Sequence, residues 1–473
     1  MSTPDYDYSP PPSQNASLRL YQAGLSVLLL AIGWFVFRSS GDINTGTILG
    51  IIIMVAASFP MLQWAKLRRS WFPAFEISCL TCVAFYAIPL LTGHEELRAY
   101  PATVVNESAT LVLAYLCAAL IGFNLQKQPV RASAWATASL LPQTIYRYVP
   151  VGLALNTLHL CLESYSNLLP ANLEGTLRAL FFGLGTVAVF VLSRLYGLGM
   201  LDARARVFFF GNLALQIIIL FSHLYLIRGI SLLALGLIAY ASARRKIPII
   251  AIALLLPVLG VLHNGKSTMR ELYWESDRPP PTLSQLPAFF SEWVDYGLTN
   301  RNKDDQRLRA SVFDRASLLQ MLCLAVDRVP AFKPHLGGES YVDIPAQFIP
   351  RFAWPDKPSS LLANIRLALY FNLIDPDNPF KVSIAFGMIA EAYINFGAIG
   401  VIFLGFGFGL LSRRLAILSI DVPQFSALGI LMILLTAWSF QAEFVMATWV
   451  SSLFQAAVVC IGIPLVYRKF TTS

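Results

Sequence analysis

Charge is scarce in this chain: 13% of its 473 residues are Asp, Glu, Lys or Arg, against 56% hydrophobic. That balance excludes an ordinary soluble globule. With apolar runs near twenty residues recurring along the chain, it defines a polytopic membrane protein. Histidine and cysteine are also thin, at five and six, and the cysteines fall almost wholly inside apolar runs. Cys79 and Cys82 lie mid-run with no histidine nearby, so a zinc or redox centre has no support there. No phosphate loop, dinucleotide glycine turn, Gly-x-Ser-x-Gly or His-Glu-x-x-His occurs, which leaves nucleotide-driven, serine-hydrolase and zinc-protease chemistry without a motif. The first eighteen residues are polar and proline-rich and lack the basic start and cleavage site of a secretory signal; residues 1–18 read as a disordered tail. The net charge of +8 does not point to nucleic acid, because the excess sits in short clusters at the ends of apolar runs, where it sets orientation.

What is present reads as an all-α polytopic membrane protein of about 12 transmembrane helices, with one large external, partly helical loop between the ninth and tenth. Spans are expected near residues 20–37, 44–65, 71–92, 108–126, 146–163, 175–197, 206–226, 229–243 and 247–262, then 384–411, 424–446 and 449–467. They divide the chain into an N-terminal bundle (19–262), an external loop domain (263–383) and a C-terminal bundle (384–473). Cation clusters at Lys66 with Arg68 and Arg69, Lys127 with Arg131, Arg204 with Arg206, Arg244 to Lys246, Arg413 with Arg414 and Arg468 with Lys469 all fall on one side. The positive-inside rule makes that side cytoplasmic, so both termini are expected in the cytoplasm and residues 263–383 outside. No internal repeat and no inverted pair of broken helices of the transporter kind is evident.

The external stretch holds fourteen of the thirty-five Lys and Arg and fourteen of the twenty-seven Asp and Glu. Leu283 to Leu298 has apolar residues at helical spacing and is expected along the membrane surface. Ala310 to Val329 is expected as a second helix, with Asp314 and Arg315 near its start. A proline-punctuated loop follows from Pro330. Its cations, with Lys266 and Arg270 just after the ninth span, form a set (Lys266, Arg270, Arg315, Arg351, Lys357) suited to an anionic headgroup, above all a lipid diphosphate, because guanidinium forks grip phosphate oxygens bidentately. The ordinary alternative is a solvated charge or a structural pair with Asp314, Asp343 or Asp356. Arg351 and Lys357 stand apart from it, set among Pro350, Trp354, Pro355 and Pro358.

Asp375-Pro-Asp377 matches a metal-binding Asp-x-Asp formally but reads better as a turn, and no metal site is expected. In the tenth span Ser383, Gly387, Glu391 and Asn395 share one face. Glu391 there is either a functional carboxylate beside a wet cavity or a partner for a cation such as Arg178 or Arg351. Glu76 and Glu443 are further carboxylates within apolar runs. His335, in the loop, is a candidate proton acceptor.

The run Gly338-Glu-Ser-Tyr, Ile349-Pro-Arg351 and Trp354-Pro-Asp-Lys-Pro358, followed by Ile389-Ala-Glu-Ala-Tyr-Ile-Asn-Phe-Gly397 and Gly400, resembles the bacterial oligosaccharide repeat-unit polymerases, the O-antigen polymerase (Wzy-type) group. Asn264 to Arg270 and Asp314-Arg315 resemble that group's upstream basic positions. The similarity covers residues 263–412. It implies a metal-independent, cofactor-free glycosyltransferase in the bacterial inner membrane, acting on its external face. Such an enzyme moves a glycan from a polyprenyl diphosphate carrier to a hydroxyl of the next lipid-linked repeat unit. Arg351 and Arg315 would meet the developing charge, with Lys266, Arg270 and Lys357 on the diphosphate. Glu391, Glu339 or His335 would be the base, with Glu339 and His335 also near the glycan. A chain-length regulator and a flippase of the same pathway are the implied partners, besides the bilayer. O-antigen ligases, which use a histidine in the large external loop, and lipid-linked oligosaccharide transporters or flippases are the competing readings; a structural partner in an export complex is a third.

Overall fold

The computed structural model describes residues 13–38, 44–66, 72–125, 132–166, 171–224, 226–275, 278, 281–299, 317–349, 354, 356–377, 384–420 and 422–472. Among them the fold is helical, with a single isolated antiparallel bridge between Ser139 and Ser426. Ten helices are long and apolar enough to cross a membrane. These are α1 (Gln14–Arg38), α2 (Thr45–Lys66), α3 (Ala74–Thr92), α4 (Ala102–Leu125), α6 (Ala171–Leu198), α7 (Ala203–Ser222), α8 (Leu226–Arg244), α9 (Ile249–Arg270), α13 (Gly387–Leu418) and α15 (Met446–Lys469). The other two expected spans are shorter. Helix α5 (Val149–Tyr165) has 17 residues, about 26 Å at 1.5 Å per residue, just under a hydrocarbon core. Helix α14 (Ala427–Trp438) has 12, about 18 Å, and the remainder of that apolar run is not helical.

Two bundles form. In the first, α2, α3, α4 and α13 bury Ile53, Phe75, Val112, Leu116 and Ile394. Its closest contact is between α4 and α13, where glycines remove the side chains between backbones: a Cβ on Gly405 would lie 2.4 Å from the Tyr115 carbonyl oxygen and one on Gly409 2.0 Å from that of Ala119. Close approach through small residues four apart is how helices associate where lipid offers no hydrophobic drive. Gly409→Leu is therefore expected to force the pair apart at a cost of about 3 kcal/mol, read as a marked fall in the thermal stability of detergent-solubilised protein. In the second bundle α5, α6, α7, α8 and α14 enclose Leu153, Phe190, Leu192 and Ile433. Asn156, Thr157 and Gln216 knit α5 to α7 by buried hydrogen bonds of 2.8 to 3.1 Å.

Outside these bundles, α10 (Leu286–Thr299) packs back on α9. Trp293 is fully buried there and its indole N–H donates to the Leu262 carbonyl at 2.7 Å. Helix α11 (Leu318–Arg328) sits on α4 and α13; the upstream part of the expected 310–329 helix, Asp314 and Arg315 included, lies outside the described residues. Helix α12 (Leu362–Tyr370) follows, and Arg366 in it pairs with Asp343 at 2.7 Å.

Candidate functional site

The site is built on a helix that breaks. At Gly397 α13 takes φ 64° and ψ −155°, a conformation open to glycine and strained for other residues. The break frees carbonyls of the preceding turn, and the loop before Gly338 satisfies them: Leu336 N–H donates to the Ile394 carbonyl and Gly337 N–H to that of Asn395, both at 3.1 Å. His335 packs against the break, its Nδ1 3.4 Å from the same Ile394 carbonyl, and a Cβ on Gly397 would meet its ring at 3.2 Å.

Six residues before the break Glu391 is fully buried. Its Oε1 accepts from the Ser340 hydroxyl at 2.8 Å and its Oε2 from the Met446 N–H at 2.7 Å. Asn395 donates through Nδ2 to Ser340 Oγ at 2.8 Å and accepts through Oδ1 from Gly338 N–H at 3.0 Å. One carboxyl and one amide thus tie three segments together: α13, the loop at 338–340 and the first turn of α15. That N-terminus is a favourable place for a carboxylate, since first-turn N–H groups have no partner within the helix.

Between α14 and α15, residues 439–445 are irregular. The Trp449 indole N–H donates to the Trp438 carbonyl at 3.1 Å, and that of Trp438 to the Ser452 hydroxyl at 2.8 Å, so two tryptophans hold the turn. Its carboxylate, Glu443, lies within electrostatic reach of Lys266 and Arg270. Burial raises the Glu443 carboxyl above the ordinary carboxylate range, and the two cations pull it back down. Lys266 and Arg270 are four apart and share one face of the last turns of α9, which runs on through Arg270 rather than ending at residue 262. The Arg270 guanidinium stacks over Trp274 at 4.2 Å and donates to the Leu224 carbonyl at 2.9 Å.

Beside this turn lies an apolar cavity of about 450 Å³, lined by α3, α13, α14, α15 and the connection residues Ser439, Gln441 and Ala442. A second, more open one of about 560 Å³ adjoins it through Phe403, Leu404 and Met446 and reaches Tyr341.

The structure brings Lys266 and Arg270 near a carboxylate, Glu443, that the sequence could not rank, and ties Glu391 to the N–H of Met446, three residues further on. It does not gather the rest. Lys357 is buried, its Nζ donating to the Ile349 carbonyl at 2.8 Å, so it braces the loop. Glu339 is exposed on the outer face, where its carbonyl accepts from Arg366 at 3.3 Å. Arg315 and Arg351 lie outside the described residues. Arg178, offered as a partner for Glu391, pairs with Glu163 at 2.7 Å. Asp375 accepts the Asp377 N–H at 3.0 Å, a local turn of the expected kind.

A family model described as Domain of unknown function (DUF8712) matches residues 205–442, half of the chain, taking in α9, residues 263–383 and α13. No curated protein and no solved structure matches.

Proposed function

The chain belongs to the family described as Domain of unknown function (DUF8712), and from its site we propose that it is a membrane glycosyltransferase that polymerises polyprenyl-diphosphate-linked oligosaccharide repeat units. The reaction takes place at the external face of the bacterial cytoplasmic membrane, with both termini in the cytoplasm, and the polymer becomes a surface polysaccharide. The observation that carries the reading is the nearness of two cations, Lys266 and Arg270, to a turn at 439–445 whose Ser439, Gln441 and Ala442 line an apolar cavity. A lipid diphosphate needs those two environments side by side. Fixed cations meet the charge that grows on the leaving diphosphate, and an apolar wall takes the tail. Arg315 and Arg351 join the cationic set in this reading on the strength of the family resemblance. Glu443 is half-buried within electrostatic reach of the cations, which makes it a candidate for receiving the acceptor hydroxyl proton alongside Glu391, Glu339 and His335.

A second reading is favoured by a specific observation. The cavity of about 450 Å³ is lined by Met388 and Ile389 before the break in α13 and by residues from Phe403 to Ala416 after it, and the chain at 439–445 is interrupted beside it as well. Interrupted helices around a membrane cavity are common in transporters, so a carrier of lipid-linked oligosaccharide is the alternative. Purified protein in liposomes supplied with a polyprenyl-diphosphate repeat unit separates the two. A ladder of lengthening products is expected. Passage of the unlengthened substrate across the bilayer would replace the transferase with the carrier.

A further inference from the structure

Helix α15 is a ruler for depth in the membrane. From Arg468 and Lys469 at one end it runs unbroken to Met446, because Val458 (φ −57°, ψ −41°) and Ile463 (φ −59°, ψ −50°) keep helical angles on either side of its π-helical turn. Cations and indoles mark the levels at which a span leaves the hydrocarbon. Trp449 lies nineteen residues from Arg468, about 28 Å at 1.5 Å per residue, which matches a core of about 30 Å. The residues between them are within that core, and a tilt of the helix sets those near Trp449 deeper still.

The chain ahead of α12 comes down beside this stretch. Residues 344–347 form a single helical turn packed on α15. Gln347 Oε1 accepts from the Ser451 hydroxyl at 3.2 Å, and the Phe348 ring meets that of Phe454 edge-on, with centroids 5.0 Å apart. Ser451 and Phe454 are two and five residues past Trp449, so these contacts lie about 3 and 8 Å below its level.

Irregular backbone at that depth has no water to bond and must be satisfied from within the protein. Side chains do so here. Gln347 Nε2 donates to the carbonyls of Asp343 and Pro358 at 3.1 and 3.2 Å, Lys357 Nζ to that of Ile349 at 2.8 Å, and Thr448 Oγ1 to that of Ser360 at 3.0 Å. The outward side chains fit the same place: Phe348 and Ile349 are exposed, as Val458, Ile463 and Val466 are further along α15. Asp356 is exposed too, and its charge belongs at the headgroups.

We propose that residues 344–349 are a wedge inserted in the bilayer, with Phe348 and Ile349 against acyl chains and Asp356 at the headgroup level. The leaflet is the one away from Arg468, the outer one in the orientation proposed above. Depth along a helix that lipid must surround selects lipid as the occupant of this apolar face. The wedge follows directly on the 338–340 segment that bonds Glu391 and Asn395, so its insertion holds that segment at the membrane surface. The inference rests on α15 crossing the bilayer and is independent of the reaction.

The test uses the full chain in nanodiscs. In its first arm, which needs no variant, a phosphatidylglycerol with a diazirine midway along one acyl chain is activated and its adducts are mapped by mass spectrometry. Adducts are expected on Phe348 or Ile349 as well as on Val458 of α15, and not on Asp377, which is exposed in the turn at 375–377. In the second arm one cysteine is added at Ile349 or at Asp356 and treated with a membrane-impermeant maleimide, the wild-type rate serving as the blank for the native thiols. Ile349→Cys is expected to react at least about tenfold more slowly than Asp356→Cys, because the bilayer core is closed to water, and to match it once the chain is unfolded in SDS. Equal rates in the folded protein would overturn the proposal by placing the segment in water. Slow reaction with lipid adducts on Val458 but none on 344–349 would overturn it as well, and would assign the apolar face to a second copy of the chain.

Discussion

Replacing Lys266 and Arg270 together by alanine is expected to lower polymer formation by two to four orders of magnitude. A charge-assisted hydrogen bond contributes about 1.5 to 3 kcal/mol, and two such contacts to the diphosphate would sum to about 3 to 6. The interpretation needs a control, because the same substitutions leave Glu443 half-buried without its cations. Removing the cations takes away the nearby opposite charge that offsets the desolvation of this half-buried carboxyl. Glu443→Gln added to the double variant removes that cost, so the triple variant is expected to regain thermal stability and remain inactive. If it regained activity, the cations would be structural partners of Glu443 and nothing more. The pH dependence of stability gives an independent reading. The folded Glu443 carboxyl holds its proton more tightly than in the unfolded chain, so its contribution is fully present below the ordinary carboxylate range and is lost as pH rises through the folded pKa. Without Lys266 and Arg270 that pKa moves further up. The double variant should therefore lose stability relative to wild type more at neutral pH than in mild acid. Arg270→Lys should also be impaired, since an ammonium reproduces neither the fork nor the stack on Trp274.

The membrane spans were legible because each is a continuous apolar run, and a run of that kind reads the same whatever packs against it. The interruptions were not legible for two different physical reasons. The Gly397 break is stabilised by donors from Leu336 and Gly337, about sixty residues away in sequence, and glycine is common enough in membrane helices that its presence alone carries little signal. The turn at 439–445 contains neither glycine nor proline. Local propensity therefore continues the helix, and what ends it is tertiary: the Trp449 indole on the Trp438 carbonyl and the Glu391 carboxyl on the Met446 N–H. The candidate site divides along the same line. Lys266 and Arg270 were legible by position, four apart at the end of an apolar run. The inward turn of Lys357 was not, because a proline-stiffened loop fixes a side chain without saying which way it points. Glu443 stood out only as a carboxylate in an apolar run. Its partners lie on α9, and no spacing within its own segment encodes them.

Glu391→Ala is expected to be the most damaging single substitution in the chain, and the comparison with Glu391→Gln assigns its role. The carboxyl joins the 338–340 loop to α15, and alanine would orphan the Ser340 hydroxyl and the Met446 N–H at a site where Glu391 and Ser340 are fully buried. Buried donors left unmade cost about 1 to 3 kcal/mol each, enough to remove much of the stability of an ordinary domain. Glutamine keeps one acceptor oxygen, which can serve Met446, but its amide then faces Ser340 as a donor. The Ser340 oxygen already receives Asn395 and can accept a second bond, while its own proton loses its acceptor. Glu391→Gln should thus be destabilised by about 1 to 3 kcal/mol. Combining it with Ser340→Ala should cost less than the sum of the two, because the orphaned hydroxyl has gone. The measurement is a double-mutant cycle on thermal stability with polymer yield read at equal protein level. Non-additive stability with yield following the folded fraction establishes Glu391 as a positioning residue that holds the loop over the cations. A fully stable, substrate-binding and inactive Gln variant would instead make it the base, and Glu443 would then be left as the counter-ion of Lys266 and Arg270.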